Sequence, residues 1–96
     1  IPWQGSESCF ALRVKGDSMI QAGILDGDLV VVKPQPTASP GEIVVALLGE
    51  EATDKRFARQ DGHAWLMPEN PAYQPIFADE AQILGRVCAL QRDYPA

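Results

Sequence analysis

Ile43-Val44-Val45-Ala46-Leu47-Leu48-Gly49-Glu50-Glu51-Ala52-Thr53-Asp54-Lys55-Arg56-Phe57-Ala58-Arg59 decides the fold. Its opening apolar run is strand-sized and begins with β-branched residues. Gly49-Glu50 turns the chain. The period then becomes two, so that Glu51, Thr53, Lys55 and Phe57 share a face. The same grammar holds on both sides. Upstream, Phe10–Val14 alternates and is broken at Lys15-Gly16-Asp17-Ser18. Asp26-Gly27-Asp28 signals a turn into Leu29–Val32. Pro34, Pro36 and Pro40 mark a loop that Gly41 closes. Downstream, Asp61-Gly62 is a hairpin turn into Ala64–Met67. Pro68, Pro71 and Pro75 frame another loop, and Ile83–Gln91 is the last strand. Ser18 to Ala22 predicts one helical turn, with Asp17 or Ser18 as its N-cap. The fold class is mainly β, a compact barrel or sandwich of strongly bent antiparallel sheets with one short helical turn.

Ninety-six residues make one domain. The apolar fraction of 46% is ordinary for a globular chain and excludes a disordered tail. Eight basic against thirteen acidic residues give a net charge of −5, which argues against this domain gripping DNA by itself. No apolar run reaches the length of a membrane span. Cys9 and Cys88 are too few for a disulfide framework, and the Cys/His spacing fits no zinc motif. Two thiols in a reducing compartment, the cytoplasm, are expected, with no metal and no cofactor.

Chemistry has few places to sit. His63, the one histidine, follows a hairpin turn, where neither burial nor an orienting carboxylate is expected. Ser18 lies where a strand has ended at a glycine and a helical turn begins. A hydroxyl can project from that bend, and its backbone N–H and a neighbouring one can be left unpaired. These are the parts acyl transfer needs, a nucleophile and donors for an oxyanion. A helix-capping serine fits the same pattern. Without a usable histidine, a base must be a lysine. Lys15 and Lys33 stand at strand ends near turns. Lys55 lies inside a strand on the face of Phe57, which seeks the core. Burial would ease its deprotonation, and Thr53, two residues earlier, could hold the amine. A lysine snorkelling to the surface fits that spacing too.

Larger blocks then resemble a known family. Gly16-Asp17-Ser18-Met19-Ile20 with Ala22-Gly23-Ile24-Leu25-Asp26-Gly27-Asp28-Leu29 is similar to the nucleophile segment of the LexA repressor family. Gly41–Ala46 and Glu51–Phe57 resemble its lysine strand. Leu66-Met67-Pro68-Glu69-Asn70-Pro71-Ala72-Tyr73-Gln74-Pro75-Ile76 and Ile83-Leu84-Gly85-Arg86-Val87 complete the resemblance, which runs from about Phe10 to Tyr94. It implies the bent, mostly antiparallel β-fold of that family, shared distantly with signal peptidases. It implies a serine peptidase domain of a repressor of the bacterial DNA-damage response. In such a protein an N-terminal helix-turn-helix domain binds operator DNA. The repressor cuts its own inter-domain segment, usually at an Ala-Gly bond, on meeting a RecA filament on single-stranded DNA. By position the resemblance makes Ser18 the nucleophile and Lys55 the general base. Thr53 orients Lys55, and the backbone N–H groups of Ser18 and Asp17 form the oxyanion hole.

Two departures stand out. At Asp54 the family often carries an apolar residue. Asp54 lies on the strand face opposite Lys55, so it is expected to leave the amine's pKa alone and to pair with Arg56. Only 17 residues precede Ser18. Residues 1–96 are therefore expected to be a catalytic and dimerisation core without its DNA-binding domain or scissile segment, able to cut only in trans. Ala22-Gly23 is too close to Ser18 to serve as substrate. Accessory subunits of damage-tolerant polymerases, of the UmuD type, and phage repressor C-terminal domains share parts of the pattern. The Pro68–Pro71 and Ile83–Val87 blocks lie closer to LexA. The last strand is apolar on both sides, and LexA-like domains pair such strands across a two-fold axis. A homodimer is expected through Ile83, Gly85, Val87 and Ala89, taken as one face.

Overall fold

The computed structural model describes residues 8–95. Among them seven strands form one antiparallel sheet: β1 (Phe10–Arg13), β2 (Leu29–Pro34), β3 (Ile43–Leu48), β4 (Glu51–Gln60), β5 (His63–Met67), β6 (Ile76–Phe77) and β7 (Gln82–Gln91). The order across the sheet is β1-β2-β7-β3-β4-β5-β6. The sheet curls into a half-barrel, and helix is confined to a single 3-10 turn, Ile20–Ala22. Strand β6 follows directly after Pro75, where sequence signals alone mark no strand.

Two hairpins follow from their turns. β3 and β4 join through Gly49-Glu50, with Leu48 opposite Glu51 and Gly49 at φ +61°. β4 and β5 join through Asp61-Gly62, both at positive φ, the turn whose twist matches that of paired strands. The last strand does not form another hairpin. It inserts between β2 and β3 and joins the two parts of the sheet.

Apolar side chains collect in two clusters. One holds Val14, Met19, Ile24, Val30, Val32 and Val45; the other holds Val44, Ala46, Phe57, Ala64, Leu66 and Ala78. Strand β3 feeds both, because Val45 points one way and Val44 and Ala46 the other. Across the hairpin Val44 opposes Lys55, and Val45 opposes Asp54. The base candidate and the acid beside it therefore lie on opposite faces.

Two β-bulges correct the single-face reading of β7. The register slips at Leu84 against β3 and at Cys88 against β2. Each extra residue inverts the alternation that follows. Ile83 packs on the second cluster and Val87 on the first. Gly85 is buried opposite Val45, and Ala89 lies opposite Val31. The four residues do not share a face.

Candidate active site

The segment that carries Ser18 is held at both ends. Before it, Val14 N–H donates to Asp28 O, and Gly27 N–H donates to Val14 O, both at 2.8 Å. Gly16 then bends the chain at φ +85°, and its N–H donates to Asp26 Oδ1 at 2.6 Å. After it, Met19 is 1% exposed and anchors the first cluster. Ser18 is thus fixed between a glycine bend and a buried methionine. The 3-10 turn begins later than the capping pattern predicts. Its N-cap is Met19, with no side-chain cap hydrogen bond. Neither Asp17 nor Ser18 caps it by side chain.

The β5–β6 loop clamps this segment from the other side. Glu69 N–H donates to Ser18 O at 2.8 Å, and Gln21 N–H to Glu69 O at 2.9 Å. Asn70 Nδ2 donates to Asp17 O at 2.9 Å, and Tyr73 OH to Asp17 Oδ1 at 2.7 Å. Among the described residues the N–H groups of Asp17 and Ser18 have no acceptor. The sequence alone assigns none of these clamp residues a function. Their signal was the Pro68-Glu69-Asn70-Pro71 block, but a partner 53 positions away leaves no trace in local periodicity.

Lys55 is 7% exposed. Its Nζ donates to Thr53 Oγ1 at 2.6 Å and to Asp54 O at 3.1 Å. A tetrahedral nitrogen has four directions; Cε and these two acceptors take three. In the ammonium the fourth carries a proton, and in the amine the lone pair. Burial pushes Lys55 below the ordinary lysine value; the Asp54 and Glu51 carboxylates pull it back up. Ser18, Thr53, Asp54 and Lys55 line one cleft of about 510 Å³, together with Leu12 and Lys15. Beyond Lys55, a second hollow of about 280 Å³ is walled by Leu48, Tyr73 and Ile76.

Asp54 departs from its expected behaviour. It is 6% exposed, and its Oδ2 has no hydrogen-bond partner among the described residues. Its position on the opposite face does not isolate it, since its charge acts on Lys55 across one strand. Arg56 does not pair with it. Arg56 Nε donates to Glu69 Oε1 at 2.6 Å and so ties β4 to the clamp loop. His63 also differs from expectation. Asp79 Oδ2 lies 2.6 Å from its Nδ1, so an orienting carboxylate is present. The pair is at the β4–β5 turn and lines neither hollow around Lys55. Among the described residues no cluster of His, Cys, Asp and Glu is placed to hold a metal ion. No helix among them is long and apolar enough to cross a membrane.

The sequence pattern of the Peptidase S24-like family matches residues 2–88. The chain is 59% identical over 88 residues to the LexA repressor of Streptomyces avermitilis, covering 92% of this chain and 38% of that protein. It is 57% identical over 88 residues to the LexA repressors of Streptomyces coelicolor and Acidothermus cellulolyticus, of which it covers 38% and 32%. The chain therefore spans well under half the length of these relatives. The matched residues hold Ser18, Lys55 and the loop that clamps Asp17, and on that match the chain belongs to the Peptidase S24-like family.

Proposed function

We propose that this chain is the self-cleavage domain of a LexA-type repressor, a serine peptidase with a Ser18–Lys55 dyad. One observation carries the reading. A buried lysine, held by two acceptors with one direction left over, lines the same cleft as a serine at a glycine bend. Neutral Lys55 takes the Ser18 proton as Oγ attacks the scissile carbonyl. The carbonyl π electrons move to oxygen, where the N–H groups of Ser18 and Asp17 receive the negative charge. The Lys55 ammonium then returns the proton to the leaving amine. Thr53 holds Nζ in place through both steps. Lys55 then takes a proton from water, whose oxygen attacks the acyl carbon; as the C–Oγ bond breaks, the ammonium returns that proton to Ser18 Oγ, and the acyl group leaves as a carboxylic acid.

The repressor role extends this reading to the whole protein. DNA binding resides in a separate domain, RecA filaments on single-stranded DNA stimulate cleavage, and the protein works as a cytoplasmic homodimer. The names of the relatives support the repressor assignment. The half of β7 beyond Arg86 pairs with β2 alone and leaves an edge for a second copy.

Cleavage in trans tests the dyad. The substrate is the full-length Streptomyces avermitilis repressor with its matching serine replaced by alanine. The chain is expected to cut it slowly, since the high effective concentration of a tethered segment is lost. Ser18→Ala and Lys55→Ala are each expected to abolish cutting. Full activity in either variant refutes the dyad.

A further inference from the structure

We propose that Asn70 is a positioning residue for oxyanion stabilisation: by holding the Asp17 carbonyl, it turns the Ser18 N–H toward the cleft. This rests on the reading of Ser18 as nucleophile and adds a residue from the far side of the sequence.

The reason is the planarity of one peptide unit. The Asp17 C=O and the Ser18 N–H belong to the same trans peptide and point in opposite directions. Whatever fixes the carbonyl fixes the N–H. Two donors reach that carbonyl: Asn70 Nδ2 at 2.9 Å and the Ile20 N–H at 3.3 Å. The Ile20 bond is long and comes from the first residue of a three-residue 3-10 turn. The Asn70 bond is the shorter one and comes from the β5–β6 loop. The Ser18 N–H opposite has no acceptor among the described residues, and Ser18 lines the cleft.

Asn70 is itself fixed. Its Oδ1 accepts the Ala72 N–H at 2.9 Å, and its O accepts the Tyr73 N–H at 3.1 Å. The first of these settles which end of the amide is oxygen, and so presents Nδ2 to Asp17. Tyr73 completes the arrangement. Its hydroxyl takes the Asp17 carboxylate at 2.7 Å and draws that charge to the loop side. An Asp side chain left alone competes for nearby backbone N–H groups, and its charge would oppose a developing oxyanion.

A donor that is pre-aimed acts on the transition state more than on the bound substrate. Asn70→Ala therefore separates positioning from folding. In trans cleavage kcat is expected to fall roughly 10- to 100-fold, less than removal of an oxyanion donor outright. KM is expected to stay within about twofold, as for an interaction made only in the transition state. The pH midpoint set by Lys55 is expected to stay in place. Asn70→Asp keeps the acceptor for Ala72 and loses the donor to Asp17, so it is expected to behave like Asn70→Ala. A paired binding measurement adds a second readout. A peptide aldehyde ending in alanine adds Ser18 Oγ to its carbonyl carbon; the serine proton goes to Lys55, and the new oxyanion sits where the tetrahedral intermediate's would. The matching peptide alcohol forms no such adduct. Asn70→Ala is expected to weaken the aldehyde by the same factor as kcat and to leave the alcohol unchanged. Equal weakening of both ligands, or an unchanged kcat beside an inactive Ser18→Ala, overturns the proposal. An active Ser18→Ala overturns the nucleophile reading and this proposal with it.

Discussion

Lys55 is buried, and the proposed dyad needs it as a neutral amine. Its surroundings set the balance. Desolvation removes the proton, while Asp54 and then Glu51 hold it on. The rate of trans cleavage is expected to rise with pH, follow a single deprotonation and level off below the ordinary lysine range. Asp54→Asn removes the larger of the two opposing charges without changing shape much. It is expected to move the midpoint of the pH–rate profile to lower pH and to speed cleavage at neutral pH. An unmoved midpoint would show that the Asp54 charge does not reach the amine. The inward lysine was legible in the sequence because period two ties it to Phe57, which is 4% exposed. The influence of Asp54 was not. Alternation tells where a side chain points, but a charge acts through the strand as well as along its face. Asn70 was not legible either, since its partner lies in another loop.

At the level of the strand, β7 shows where pattern reading stops. Its existence and bounds were plain from Ile83–Gln91, and the structure places it at Gln82–Gln91. Its neighbours and its bulges were not, because both depend on β2 and β3. Gly85 lies opposite Pro34 of β2. A Cβ there would collide with Lys33 O and come within 2.7 Å of Val32 Cγ1. Backbone cannot yield as a side-chain tip can. Gly85→Ala is expected to destabilise the chain by about 1–3 kcal/mol, read by denaturant unfolding at constant m-value. The same strand is the proposed dimer interface. Val87 packs on a core cluster, so a charge there would unfold the chain before it tested a dimer. Leu90, 39% exposed on the half of β7 without a β3 neighbour, is the better probe. Sedimentation of the chain at high micromolar concentration is expected to show a dimer, and Leu90→Asp to dissociate it. A monomer throughout, or a dimer indifferent to Leu90→Asp, would remove β7 as the interface.

Across the whole molecule, the chain just beyond β7 is tied back to the segment that carries Ser18. Arg92 donates to both oxygens of Asp28 at 2.7 Å and to Gly23 O at 2.9 Å. Asp28 is 2% exposed, accepts the Leu25 N–H at 2.7 Å, and gives its own carbonyl to Val14. One residue, by its carbonyl and its carboxylate, thus joins the chain before and after Ser18 to the segment that follows the last strand. Hydrogen bonds from Arg92 are the largest influence on it and outweigh burial, lowering its pKa from 3.8 to about 2. A carboxyl held lower in the folded state than in the unfolded one stabilises the fold above the unfolded value. That contribution fades as pH falls from about 3.8 toward 2. Lys55 gives a slope of the same sign in a different window. Its folded pKa lies below the unfolded one, so the unfolded chain binds more protons between the two. Its contribution therefore makes stability climb through that alkaline window, up to about pH 10.5. Arg92→Ala leaves Asp28 buried without its cation. Burial then raises the carboxyl instead of being outweighed, and the fold loses charged hydrogen bonds. A loss of about 1.5–3 kcal/mol at neutral pH is expected. With it goes the acid-side slope between pH 4 and about 2, read by urea unfolding at stepped pH. Lys55→Ala is expected to keep that acid slope and to flatten the alkaline one. An acid slope that survives Arg92→Ala would mean that other carboxylates govern it and that the tie between β7 and the Ser18 segment is not held by Asp28.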